Sequence, residues 1–292
     1  MAISKVQTQQ VSTPRPAAPA KPKAPAAQTA QTAATGWAAG SGKSAPLKIT
    51  LATIDEGPKT FEKVLLPKGF KGELKTTTVN QKDKVYDANA SLELSSTTLN
   101  VTGPGGKKFT IGSDGGMAQL KTEWRSEVDA AKKAPKEEWT RLEWDSGTSI
   151  SGAGTAGQLF STMEGGSEYT GGAHPNHATA LATYDARTGK QVTLDSLITP
   201  KQMNDLVNEV DRRISKMKGP DDIGADSFGM GGDKAALRDT INKNFALSTD
   251  KSGKVKIDIA WESGVHALGG LMAHVSVEAP TDAAFKKAAG IE

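Results

Sequence analysis

The spacing of apolar and polar positions changes several times along the chain, and each change predicts an element. Lys48–Ile54 alternates with period two, as a half-buried strand does, and Gly57-Pro58 ends it. Further strands are expected at Glu73–Val79, Ala90–Leu94, Thr98–Thr102 and Lys108–Ile111, with Gly103-Pro104-Gly105-Gly106 as the turn before the last. Met117, Leu120, Trp124, Val128 and Ala131 then recur at spacings of three and four, the buried stripe of a helix that Pro135 stops. Trp124 lies on that stripe and so reads as core, not as a binding aromatic. Trp139–Trp144 reads as a strand. Ser149–Gly157 reads as a loop of small residues without the Gly-Lys-Ser ending of a phosphate loop.

Gln158–Met163 leads to a strand at Ala178–Tyr184, and Asp185–Gly189 suits a hairpin turn with glycine in the left-handed position. Thr199-Pro200-Lys201-Gln202 has the form of a capping box, and Met203, Leu206, Val207, Val210, Ile214 and Met217 supply the buried stripe of the helix that follows. Gly219-Pro220 closes it. After a Gly/Asp-rich link to Asp233, a second helix buries Leu237, Ile241 and Phe245. Val255, Ile257, Ile259 and Trp261 alternate with polar or small residues, and a Gly-rich bend leads to a last strand, Leu271–Ala279, ended by Pro280. These elements predict an α+β fold: a twisted, mainly antiparallel sheet with two or three helices packed on one face. The expected divisions are a disordered tail (1–45), a small α+β subdomain (46–135), a larger α+β domain (136–285) and a short carboxy-terminal tail (286–292).

Composition changes this picture at the amino terminus. Residues 1–45 are rich in Ala, Pro, Gln, Thr and Lys and hold almost nothing to bury, so they cannot offset their ordering entropy. They also carry Lys5, Arg15, Lys21, Lys23 and Lys43 without an acid, so the rest of this chain of net charge +3 carries about −2. A near-neutral body argues against nucleic acid as partner, since phosphate binding needs a basic face. No cysteine is present, which excludes disulfide and thiolate chemistry. No apolar run approaches membrane-span length, so no transmembrane segment is expected. Gln7, Thr8, Gln9, Gln10, Ser12, Thr13 and Pro14 stand where a secretory signal would have its apolar core. No secretory signal is therefore expected, and the tail reads as a solvated linker, with an export tag for another route or a tether as the functional reading.

The four histidines, His174, His177, His266 and His274, lie around the two Gly-rich bends. With Glu168, Asp185 or Glu262 they form the one constellation to weigh as a metal site, the basis of an alternative reading as a metal-dependent hydrolase. Pro175 argues against a helical presentation of His174 and His177, and the plainer reading is a histidine bonding the corner's backbone beside surface histidines. Ser161, Ser167 and Ser263 sit in no Gly-x-Ser-x-Gly elbow. Glu164 and Glu168 are spaced like a carboxylate pair but precede a corner. An enzyme is the less favoured class, and no cofactor is expected.

Tyr169-Thr-Gly-Gly-Ala-His174, followed by Tyr184-Asp-Ala-Arg-Thr-Gly189 and Val192-Thr-Leu-Asp-Ser-Leu-Ile198, resembles the RsiV-type extracytoplasmic domain family. That family occurs in lysozyme-sensing anti-sigma factors and as an accessory domain of PdaC-like peptidoglycan deacetylases. The resemblance covers about Gln158–Pro280. In place of the family's Tyr-Glu-Ile-Ala-Pro-Tyr-like run, this chain has Trp261-Glu-Ser-Gly-Val-His266. The resemblance implies a non-catalytic binding or sensing module of the envelope or secreted space. It implies an extracytoplasmic or secreted location reached by a route without a recognisable signal peptide, with the cytoplasm as the alternative. Its partner would be a protein, with a lysozyme-like muramidase as candidate, or a cell-wall glycan. Tyr169, Gly171, Gly172, His174, His177, Trp261 and His266 would form the contact edge. A secreted effector or scaffold, exported through its tail, is the third reading.

Overall fold

The computed structural model describes residues 46–136, 142–170, 175–214, 216–217, 233–262 and 271–291. In chain order the strands and helices are β1 (Lys48–Asp55), β2 (Lys71–Val85), β3 (Ala88–Thr102), β4 (Lys108–Ile111), α1 (Met117–Ala131), β5 (Glu143–Ala156), β6 (Leu159–Tyr169), β7 (Asn176–Asp185), β8 (Lys190–Gln191), α2 (Pro200–Ile214), α3 (Lys234–Lys243), β9 (Phe245–Thr249), β10 (Val255–Glu262), β11 (Met272–Glu278) and α4 (Ala283–Ala289). The fold is α+β and mainly antiparallel. Where one sheet was expected there are two. A four-stranded sheet has the order β1-β11-β10-β9, and a seven-stranded sheet has the order β2-β3-β5-β6-β7-β8 with β4 also on β3. The β3–β5 pair is parallel, and its hydrogen bonds cross the division expected near residue 135.

The period-two pattern of β10 and β11 separates the two faces of the smaller sheet. Ile257, Ile259, Trp261, Ala273, Val275 and Val277 enter one core with the apolar stripes of α2 and α3 and with Phe285 and Ala289 of α4. The opposite face puts Ala246, Ala260 and Met272 against Ala153 and Leu181 of the larger sheet. Thus α2, α3 and α4 contribute to one core, while α1 packs on the larger sheet, its Trp124 and Val128 closing over Leu92 and Leu94. The α2 capping box forms as expected. Thr199 N donates to Gln202 Oε1 at 2.9 Å, and Gln202 N donates to Thr199 Oγ1 at 3.2 Å.

Three stretches differ from the sequence expectation. Ser149–Gly157, expected as a loop, mostly belongs to β5. Its small residues answer close backbone approaches: a Cβ on Gly152 would lie 2.5 Å from Lys63 O, and one on Gly154 would lie 2.5 Å from Leu247 O. Phe245 is not the last residue of a helical stripe but the first of β9, because Asn244 leaves helical geometry (φ −112, ψ 67). Residues 286–292, expected as a tail, supply much of α4, which Asp282 caps by accepting from Phe285 N at 2.9 Å.

β9 ends the four-stranded sheet, and buried side chains bond two backbone groups of its outer edge. Leu247 N donates to Ser161 Oγ at 2.8 Å, Ser161 and Thr183 hydroxyls lie 2.9 Å apart, and Thr183 Oγ1 donates to Phe245 O at 2.9 Å. Both hydroxyl residues are wholly buried. The relay joins the two sheets and gives Leu247 N and Phe245 O their partners at this edge.

Candidate functional site

Tyr169 ends β6, and His177 stands near the start of β7. Cross-strand register places a row of residues beside each. Glu93, Asp145 and Tyr169 are aligned across β3, β5 and β6, with Asn80 of β2 opposite Glu93. Thr78, Ser95, Gly147, Ser167 and His177 form the next row, across five strands. Residues directly opposite in adjacent strands share a face. The glycines confirm this: a Cβ on Gly147 would lie 2.8 Å from Ser95 Oγ and 3.5 Å from Ser167 Oγ, and one on Gly165 would lie 2.8 Å from Ser149 Oγ. The result is a floor of hydroxyls and glycines, with Glu93, Asp145, Thr78 and His177 exposed and Tyr169 half-exposed. The other face of β2, β3 and β5 is taken by α1, through Val79, Leu92, Leu94 and Trp144.

Farther along β6 and β7 the same face is covered by the smaller sheet, through Met163 and Leu181 against Ala260 and Met272. Thr183 bonds Phe245, which pairs with Ile259, whereas Leu181 packs with Ala260 and Met272. Moving along β7 toward His177 therefore tracks β10 toward Glu262. Asn176 of β7 and Glu262 of β10 lie toward the same end of the two sheets. Gly171, Gly172 and His174 belong to the β6–β7 connection and His266 to the β10–β11 connection, and all four lie outside the described residues.

Trp261 stands elsewhere than a contact edge requires. It is 5% exposed and packs in the helix-facing core, because its phase on β10 is that of Ile257 and Ile259. His274 is also buried, on the opposite face of that sheet. Its Nε2 lies 3.3 Å from Asp258 Oδ1 and its Nδ1 lies 3.6 Å from Asp55 Oδ1. Among the described residues no group of three or more histidines or acids is placed to hold a metal. Glu164 and Glu168 share β6, four residues and so roughly 13 Å apart along the strand. Glu164 accepts from Tyr184 Oη at 2.6 Å, and burial, with that carboxylate beside it, pushes the phenol up. Ser161 is occupied in the buried relay.

Burial alone would raise the Asp258 carboxyl, but hydrogen bonds from His274, Ser276 and Ser248, together with the charge of His274, hold it below the ordinary carboxylate value. A depressed folded value means stability that is present above the unfolded value, about 3.9, and lost as pH falls through the folded one. Urea midpoints measured from pH 7 to 2.5 should therefore fall more steeply below about pH 4 in the native protein than in Asp258→Asn. Parallel profiles would show that the cluster does not couple to folding.

Sequence reasoning missed Glu93, Ser95, Asp145 and Gly147 as site residues. Leu92 and Leu94 alternating with Glu93 and Ser95 was a legible signal for β3. Asp145-Ser-Gly-Thr-Ser149 has no apolar residue to mark its phase.

Among the described residues no helix is long and apolar enough to cross a membrane. No family model matches the sequence, and no curated protein does. Solved structures that resemble the chain include two from the DUF3298 family. A member of the DUF3298 family from Bacteroides fragilis is 16% identical, with a TM-score of 0.46 over 73% of this chain and 91% of that one. A DUF3298 family protein from Pseudomonas aeruginosa is 13% identical, with a TM-score of 0.31 over 71% of this chain and 91% of that one.

Proposed function

We propose that the domain is a non-catalytic binding module of the envelope or secreted space, and that the floor ending in Tyr169 and His177 is its contact edge. The observation that carries this is the exposed sheet face itself, bordered by Tyr169 and His177. A face of short side chains lets a partner approach the backbone closely, and a tyrosine at its border offers a rigid anchor. The adjacent acids Glu93 and Asp145 suit a basic protein surface, and the resemblance of the corner and hairpin motifs to the RsiV-type domains names a lysozyme-like muramidase as candidate.

Calorimetric titration of the protein with a lysozyme panel, and separately with peptidoglycan fragments, tests the reading. Saturable binding to a muramidase is expected. Tyr169→Ala should weaken it at least tenfold with unchanged thermal unfolding, as loss of a hot-spot aromatic does. Binding to the fragments alone would replace the protein partner by a cell-wall glycan, and binding to neither would remove the reading.

A further inference from the structure

The opposite end of the seven-stranded sheet holds three turns of like composition: Pro67-Lys-Gly-Phe-Lys-Gly72, Gly103-Pro-Gly-Gly-Lys-Lys108 and Asp185-Ala-Arg-Thr-Gly-Lys190. β7 runs from Asn176 to Asp185, so this end lies roughly 30 Å from the Tyr169–His177 floor. Between the turns is a cleft of about 230 Å³, walled by Phe70, Pro104 and Phe109 and edged by Lys107 and Arg187. Missing side chains make room for the two rings. A Cβ on Gly103 would lie 2.7 Å from Phe70 Cε1, and one on Gly189 would lie 2.6 Å from Phe109 Cγ. Lys107 Nζ donates to Arg187 O at 2.6 Å, which ties two of the turns together. The Arg187 guanidinium forks onto Asp185 at 3.0 and 2.8 Å.

Charge selects the occupant. The three turns hold six cations, Lys68, Lys71, Lys107, Lys108, Arg187 and Lys190, and a single acid, Asp185, which Arg187 already engages. Lys71 and Lys108 flank Thr102 in register and add to the field from the neighbouring strands. An apolar ring filling the cleft would be favoured by burial, and a negative charge at its mouth by the surrounding cations. The cleft is small, with room for one ring and not for a polymer.

We propose that this cleft binds a small monocarboxylate carrying one apolar ring, the ring between Phe70 and Phe109 and the carboxylate toward Lys107 and Arg187. The probe is phenylacetate, titrated into isotope-labelled full-length protein and followed by amide shifts. 2-Phenylethanol serves as the neutral counterpart and inorganic phosphate as an anion without a ring. Saturable shifts at Phe70, Lys107, Phe109 and Arg187 are expected. 2-Phenylethanol should bind at least tenfold more weakly, and phosphate should leave the Phe70 and Phe109 signals unmoved. Lys107→Gln, which also removes the bond to Arg187 O, should weaken phenylacetate at least tenfold while amide shifts outside the three turns stay native, and Phe109→Ala should abolish saturation. Shifts that grow without saturating, equal response to phosphate, or native-like binding by both variants would overturn the assignment.

Discussion

Gly154→Ala is expected to destabilise the protein by about 4 kcal/mol, summing the strain of an unfavourable backbone conformation and the overpacking of a closed interface. Gly154 has φ +149, a value that side-chain-bearing residues rarely adopt, and the added methyl would lie 2.5 Å from Leu247 O and 2.8 Å from Ser248 Cβ. The first of these is backbone of β9, held by the Ser161–Thr183 relay, so it has little freedom to retreat. At about 2–4 °C per kcal/mol for a domain of this size, the melting temperature should fall by about 10 °C. Gly105→Ala is the control. Its φ is +73, yet nothing lies within 4 Å of the added atom, so only the conformational penalty of about 1 kcal/mol applies. Similar losses at the two positions would mean that β5 and β9 do not approach as closely as described.

Removing the relay is the second large effect. Ser161→Ala leaves the Leu247 N–H without its acceptor, and Thr183→Val leaves Phe245 O without its donor. A buried polar group deprived of its partner costs about 1–3 kcal/mol, so each variant should lose that much by urea denaturation. The two hydroxyls also bond each other, at 2.9 Å, so the double variant should lose less than the two single losses added. Strict additivity would show that the hydroxyls act independently and that the chain of bonds between the sheets is not a unit.

These two predictions fall where the sequence was least legible. Amphipathic stripes announced α1, α2 and α3, and a capping box the start of α2, because period and capping residues are local properties. The alternation of Ile257, Ile259 and Trp261 likewise marked the buried face of β10, though not that this face would remove Trp261 from the contact edge: exposure depends on which sheet face the helices cover. β5 was read as a loop because Ser, Gly, Thr and Ala give no apolar phase. The reason for those residues is nonlocal, the approach of Lys63 on Gly152 and of Leu247 on Gly154. α4 was missed because it is short and carries a single large apolar residue, Phe285, although Asp282 and Gly290 bracket it with ordinary capping chemistry.

The candidate site shows the same division. Tyr169 and His177 were legible from the Gly-Gly corner between them. The floor beside them was not, since Ser95, Gly147 and Ser167 meet only through a parallel pairing of β3 with β5, and no spacing in the chain encodes that. Small polar residues are also the usual content of solvent-facing strands. Only their alignment across five strands, with Glu93 and Asp145 at one border, makes them a surface.

Amide hydrogen exchange on the protein, alone and saturated with a muramidase that binds it, tests the contact edge most directly. Protection is expected at residues 91–95, 143–149, 165–169 and 176–179, with residues 104–109 and 187–190 unchanged. Protection confined to other strands, or none despite saturable binding, would contradict the assignment of the Tyr169–His177 floor as the surface that meets the partner.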